Sequence, residues 1–277
     1  MQKIINNILA PVTAGKQGEL VADNALRMAN HFQCGLHLLL AEGTRLHSLL
    51  GSLGKPVGNS NRRLAALEEK YAPLLHQGLS LRVSACKGDI EQQVAEYAIR
   101  HFIDVIVVGK AGNSLPGSLF GSLSINRLAR KTKAAVLTVD NWPALEKVQN
   151  IVLPVGEHLP IRKMMIASYF ARKFNARIHL IGLSKKYPFT SVEDAMYVYK
   201  TFQLLRDNTN LEVEYHIIRG ENIADKTLEY AQDIKADLIV VNPGKELLLS
   251  GFINKMFARF IFNESPIPVM TINHADG

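Results

Sequence analysis

Cys34 and Cys86 are the only cysteines in the chain, too few for a disulfide framework, and neither stands in a C-x-x-C spacing. Both read as small buried hydrophobes rather than reactive thiols. Aromatics are scarce, at 7% with a single tryptophan, which argues against the stacking platforms of a nucleic-acid binder. No apolar run approaches the roughly 20 residues of a membrane-spanning helix. The start, MQKIINNILAPV, lacks a charged segment followed by a long apolar core and a cleavage site. These absences predict a cytoplasmic chain with neither a membrane nor a nucleic acid as partner. The nine histidines include no H-E-x-x-H or H-x-x-x-H spacing, and there is no G-x-S-x-G elbow and no pair of carboxylates set for acid-base work. No catalytic and no metal-binding residue is expected, and nothing resembles the H-x-G-H signature of nucleotidyl transferases.

What is present is the composition of a soluble globular protein, 47% hydrophobic and 21% charged, over a length that suits one large domain or two ordinary ones. The net charge of +7 is uneven. Residues 1–145 hold 16 Lys/Arg against 10 Asp/Glu, whereas residues 146–277 hold 16 against 15. Arg127, Arg130, Lys131 and Lys133 sit together in the basic half, either as a solvated helix face or as the surroundings of an anion.

The chain also repeats itself. NNILAPV at 6–12 returns as QNIVLPV at 149–155, and FQCGLHLLL at 32–40 returns as FNARIHLIG at 174–182. KGDIEQQVAEYAIRHFIDVIVVG at 87–109 matches RGENIADKTLEYAQDIKADLIVVN at 219–242 with one residue inserted, and AAVLTVD at 134–140 matches IPVMTIN at 267–273. Copies of this length are domains rather than solenoid repeats. The division expected is 1–143 and 144–277, near Trp142-Pro143, where proline breaks regular structure.

Within the first copy, Ile8–Val12, Leu36–Ala41, Leu79–Ala85, Val105–Val108 and Ala135–Val139 are nearly continuous apolar runs, as strands covered on both faces should be. Between them Val21, Ala25, Met28, Ala29 and Phe32 keep helical spacing, as do Ile90, Val94, Tyr97, Ala98 and His101. The alternation predicts an α/β fold, two tandem doubly wound parallel-sheet domains of Rossmann-like type. Ligands of such sheets bind outside the carboxyl ends of the strands, where strand order reverses. The loops after the first strand, APVTAGKQGE, and after the fourth, GKAGNSLPGSLFGS, therefore carry the interest. His37 and His179, equivalent in the two copies, read as packing residues.

These segments together resemble the universal stress protein family: a first strand ending I-L-x-P-V, the A-L-x-M-A helix, the G-D-x-x-x-x-V-A-E-Y-A helix leading to D-V-I-V-V-G-K-A-G, and the closing A-V-L-T-V. The resemblance covers the whole chain as a tandem pair. It implies strand order 3-2-1-4-5 in each domain and fifth strands that pair as in a dimer, here as an intrachain pseudo-dimer, with a further homodimer as an added assembly. It also implies that some members bind ATP or related adenine nucleotides and others bind none. Binding members carry G-x-x-G, nine residues, then G-[ST]; here Gly109-Lys110-Ala111-Gly112 and Gly121-Ser122 are separated by eight. By this resemblance the site of the first domain comprises Pro11, Val12, Thr13, Ala41, Gly109, Lys110, Gly112, Gly121 and Ser122. Glycines there would let the backbone approach ribose and phosphate, and the N–H groups at Gly121 and Ser122 would meet a phosphate at a helix N-terminus. Ser122 serves equally as an ordinary N-cap, and the glycine stretch is either a phosphate cradle or a packing corner. Thr13 stands where binding members place an acidic residue. In the second copy Gly156, Asn242, Lys245 and Asn254-Lys255 replace Thr13, Gly109, Gly112 and Gly121-Ser122, so a degenerate, purely structural second domain is expected.

Three functions follow: a non-catalytic regulator that binds or senses an adenine nucleotide through its first domain, a nucleotide-independent module acting through unidentified protein partners, or a slow ATPase. The Gly/Ser-rich stretch at 51–61 favours the second.

Overall fold

The computed structural model describes residues 3–13, 15–42, 60–109, 123–139, 147–156, 158–184, 192–220, 222–242 and 265–273. The chain divides into two compact units, Met1–Trp142 and Pro143–Gly277. In the first, β1 (Asn7–Val12), β2 (Gly35–Glu42), β3 (Leu81–Lys87), β4 (Val105–Gly109) and β5 (Ala135–Val139) alternate with α1 (Lys16–Phe32), α2 (Ser60–Tyr71), α3 (Ile90–Arg100) and α4 (Ile125–Thr132). The second repeats the series as β6 (Asn150–Pro154), α5 (Ile161–Phe174), β7 (Arg177–Ser184), α6 (Val192–Asn208), β8 (Val213–Arg219), α7 (Ile223–Asp233), β9 (Leu238–Val241) and β10 (Val269–Thr271). Strand order is β3-β2-β1-β4-β5 in one unit and β8-β7-β6-β9-β10 in the other. All described pairings within each unit are parallel. Among the described residues no helix is long and apolar enough to cross a membrane.

Burial explains why the pattern was readable. Ile8, Leu9, Ala10, Leu36, Leu38, Ile106 and Val136 are fully covered, as central parallel strands require. Helix α1 buries Val21, Ala25, Met28, Ala29 and Phe32, each large apolar side chain contributing about 1.5–3 kcal/mol. Cys34 and Cys86 are buried. Burial pushes their thiols up, to about 12 and about 11, which keeps both unreactive.

The third strand departs from expectation in two ways. It runs over 81–87 rather than 79–85, because Gly78, at φ +85°, makes a turn that Leu79 closes by donating its N–H to the His76 carbonyl. Apart from the buried Cys86 it is also half-exposed or exposed along its length, being the sheet's edge, and β8 is likewise uncovered in the second unit. An edge strand lacks the second cover that continuous burial needs.

The repeat extends to tertiary detail. The Asp104 carboxylate accepts from the N–H groups of Asn6 and Asn7, at 2.7 and 3.1 Å, clamping the start of β1 to the start of β4. Asp237 does the same for Gln149 and Asn150 at 2.8 and 3.0 Å. Helices α3 and α7 are capped alike, by Asp89 on the Gln92 N–H and Asn222 on the Ala224 N–H, both at 2.9 Å. Removing the clamp strands two backbone donors. Asp104→Ala and Asp237→Ala should each cost about 1–3 kcal/mol, read as a lower urea midpoint with an unchanged denaturant slope, while Asp104→Asn retains part of the loss because one amide oxygen still accepts.

Candidate functional site

In the first unit β1 is flanked by β2 on one side and β4 on the other, so the strand order reverses between β1 and β4. The carboxyl ends of β1, β2 and β4 lie at the same end of this sheet. Five of the sequence-derived site residues belong to these ends. Pro11 and Val12 close β1 and are buried, Thr13 follows half-exposed, Ala41 is the half-exposed penultimate residue of β2, and the buried Gly109 ends β4. Lys110, Gly112, Gly121 and Ser122 lie outside the described residues, as does nearly all of the 51–61 stretch.

Two features that spacing did not reveal shape this end of the sheet. Gly18, in the first turn of α1, packs on the backbone of Thr13: a Cβ at position 18 would lie 1.9 Å from the Thr13 carbonyl oxygen. Helix α1 therefore rests directly on the residue that leaves β1. Glu42, the last residue of β2, is buried with Oε2 3.7 Å from Lys87 Nζ and with Oε1 lacking a hydrogen-bond partner among the described residues. Its signal in sequence was an acid ending an otherwise apolar run.

The basic residues after the glycine stretch have a protein partner. Glu91, in the first turn of α3, accepts from the Ser124 N–H at 3.0 Å and pairs with Arg127 Nε at 3.2 Å and Lys131 Nζ at 3.9 Å. This fixes the N-terminus of α4, the helix that the glycine stretch enters. Arg130 and Lys133 remain exposed, as a solvated face requires.

The second unit differs at the same end. Asn242, in the place of Gly109, is buried. Lys163 of α5 is buried too, and its ammonium donates to the Pro154 carbonyl at the end of β6. Burial pulls this lysine down to about 7. Its counterpart in α1 is the core residue Val21, so a long cationic chain occupies space that is apolar in the first unit.

His37 and His179 are packing residues with one polar tie each to a helix. His37 Nδ1 meets the Tyr97 hydroxyl and His179 Nδ1 the Tyr230 hydroxyl, both at 3.1 Å. Burial, with Arg82 and His101 adding, holds His37 down at about 4, so its ring is neutral.

A doubly wound sheet whose fourth strand ends on Gly109 beside the switch point defines the class of open parallel α/β domains. A model of the universal stress protein family matches residues 5–140, so the first unit belongs to that family, and the second unit repeats its strand order. Among solved structures, a protein assigned to the universal stress proteins from Pseudomonas aeruginosa UCBPP-PA14 is 20% identical, covering 97% of this chain and 93% of its own, with a TM-score of 0.68. A universal stress protein from Archaeoglobus fulgidus DSM 4304 is 17% identical, covering 98% and 97%, with a TM-score of 0.66. These likenesses establish the shared fold across both units. Another Archaeoglobus fulgidus universal stress protein, solved in complex with dAMP, is 21% identical over 45% of this chain and 97% of its own, with a TM-score of 0.35. A search of curated proteins returned no match.

Proposed function

We propose that this protein is a non-catalytic regulator that binds an adenine nucleotide at the carboxyl ends of β1, β2 and β4 in its first unit, and nowhere in its second. The observation that carries this reading is the contrast between equivalent ends of the two sheets. In the first unit β4 ends on Gly109 and the half-exposed Thr13 follows β1, whereas in the second the larger Asn242 is buried in the place of Gly109 and Lys163 reaches the end of β6. The resemblance of the glycine stretch to the nucleotide-binding members supplies the ligand class, and Glu42 provides an acceptor at the end of β2 where Thr13 offers only a hydroxyl.

Backbone N–H groups on a charged phosphate contribute roughly 1.5–3 kcal/mol each, so recognition should rest on phosphate more than on base. Calorimetry with ATP, ADP, AMP and GTP is expected to give at most one nucleotide per chain and discrimination between adenine and guanine of less than about 150-fold, the equivalent of one lost polar contact. Gly112→Asp, which sets a side chain and a like charge against the phosphates, should weaken binding at least tenfold. A stoichiometry of two, undiminished binding in the variant, or no binding of any nucleotide at millimolar concentration refutes the reading; the last outcome leaves a nucleotide-independent module acting through protein contacts.

A further inference from the structure

Strands β7 and β8 of the second unit bring together three side chains that no sequence motif joins. His179 on β7 stands opposite Glu214 on β8, and His216 follows two residues along β8, so the three share one face of the sheet. One ligand atom from each lies within 4.8 Å of the others. Glu214 Oε2 is 3.6 Å from His179 Nδ1 and 3.6 Å from His216 Nε2.

Those distances are too long for hydrogen bonds and suit another arrangement. Zinc binds imidazole nitrogen at about 2.0–2.1 Å and carboxylate oxygen at about 2.0–2.2 Å, which sets neighbouring ligands of a tetrahedron about 3.3–3.6 Å apart. Both contacts to Glu214 meet that spacing, and His216, on the edge strand and partly exposed, has room to close the third. Nε2 of His216 is buried with no hydrogen-bond partner among the described residues, so its ring presents a nitrogen to this point.

The surroundings fix the other two ligands. His179 donates from Nε2 to the Asn150 side-chain oxygen at 3.1 Å, which places the ring hydrogen there and leaves the Nδ1 lone pair toward Glu214. That lone pair accepts from the Tyr230 hydroxyl at 3.1 Å, a bond an incoming cation would displace. Glu214 is held through its other oxygen, Oε1, by Arg177 Nη1 at 3.0 Å, and Arg177 is also paired with Glu212 at 2.7 Å. The charges of Arg177, Glu212 and Glu214 sum to net negative beside the two imidazoles.

The first unit serves as an internal control. It keeps the His37–Tyr97 pair, but Arg82 stands opposite His37 where Glu214 would be, and Ser84 stands in the place of His216. The shared histidine and tyrosine belong to the common packing; the first unit does hold a second imidazole, His101, 5.6 Å from His37 between ring centres, but it comes from the end of α3 and its Nδ1 lies 3.0 Å from the Arg82 guanidinium, so among the described residues a carboxylate between two imidazoles occurs only at β8.

We propose that His179, Glu214 and His216 form a binding site for one divalent transition metal ion of the zinc type, clipping the edge strand β8 to β7 and leaving a fourth coordination position beside Tyr230. Two imidazoles and one carboxylate favour Zn²⁺, Co²⁺, Ni²⁺ and Cu²⁺ over Mg²⁺ or Ca²⁺. The full chain without a polyhistidine tag, stripped with chelator, is titrated with Co²⁺ and then Zn²⁺ against a chromophoric chelator. One equivalent per chain is expected, with a visible cobalt spectrum of low-coordinate type that Zn²⁺ bleaches. Because removing even an outer partner costs 10- to 100-fold, Glu214→Gln and His216→Ala should each lower affinity by about 100-fold or more. Both side chains lie on the edge strand, and far-UV circular dichroism checks that the fold persists. His76→Ala, at an exposed histidine of the first unit, should bind as the parent does. No binding at sub-millimolar metal, or unchanged affinity in the Glu214→Gln/His216→Ala double variant, overturns the proposal.

Discussion

Gly18→Val is expected to lower the melting temperature of the first unit by about 5–10 °C, the effect of roughly 3 kcal/mol in a domain of this size. The cause is local and steric. A Cβ at position 18 would stand 1.9 Å from the carbonyl oxygen of Thr13 and 2.8 Å from its carbon and nitrogen. Those are backbone atoms, which cannot turn aside as a side-chain tip can, so α1 must lift from the end of β1. Gly18→Ala gains about 1 kcal/mol of helix propensity and meets the same overlap, so it should fall between the parent and the valine variant. Because the contact bears on Thr13, the nucleotide affinity we propose for the first unit should fall with stability in the same series. A melting temperature for Gly18→Val equal to the parent's would show that the first turn of α1 moves freely and that the contact sets nothing.

Lys163→Met should stabilise the protein at neutral pH. An ordinary lysine titrates near 10.5 and this one near 7, a difference worth about 5 kcal/mol against the buried charge. Methionine removes that penalty but leaves the Pro154 carbonyl without its donor, a loss of about 1–3 kcal/mol. The net gain is about 2–4 kcal/mol, roughly 5–15 °C in melting temperature. The pH dependence follows from the direction of the shift. Between about 7 and 10.5 the unfolded chain holds a proton on this lysine that the folded chain has released, so parent stability rises with pH across that window. Below about 7 both states are protonated and the full penalty stands. The advantage of Lys163→Met should therefore be greatest at pH 7 and below and shrink toward pH 10. Equal stability at pH 7, or an advantage that grows with alkalinity, would show that the ammonium is well solvated by its partners.

Much of this molecule was legible in one dimension because its regularities are periodic. Continuous β-branched runs identify strands covered twice, and the 3.6-residue spacing of Val21, Ala25, Met28 and Phe32 identifies the helix that covers them. Legibility failed first at the edges: β3 was displaced by two residues because hydrophobicity at Leu79 competes with a turn at Gly78, whose positive φ leaves no trace in apolar spacing. Five of the nine candidate site residues could be located for a related reason. Pro11, Val12, Thr13, Ala41 and Gly109 sit where strands end, and strand ends are set by the same patterns as strands. Glu42 escaped because a lone acid closing an apolar run reads as a boundary, and Lys163 because, next to Arg162, it reads as part of a solvated first turn, although here each is buried.

The sequence by itself determined the two-copy organisation, the alternation of strand and helix, the family, and the carboxyl ends of β1, β2 and β4 as the place to look for a ligand. All of these rest on repetition or on contacts between residues near one another along the chain. Only the tertiary structure decided that Gly18 bears on Thr13, that Lys163 reaches the end of β6, and that His179, Glu214 and His216 meet on one face. The physical reason is that parallel strands are joined by crossovers, so neighbours in the sheet lie tens of residues apart, and which of their side chains meet depends on a register that the pairing itself sets.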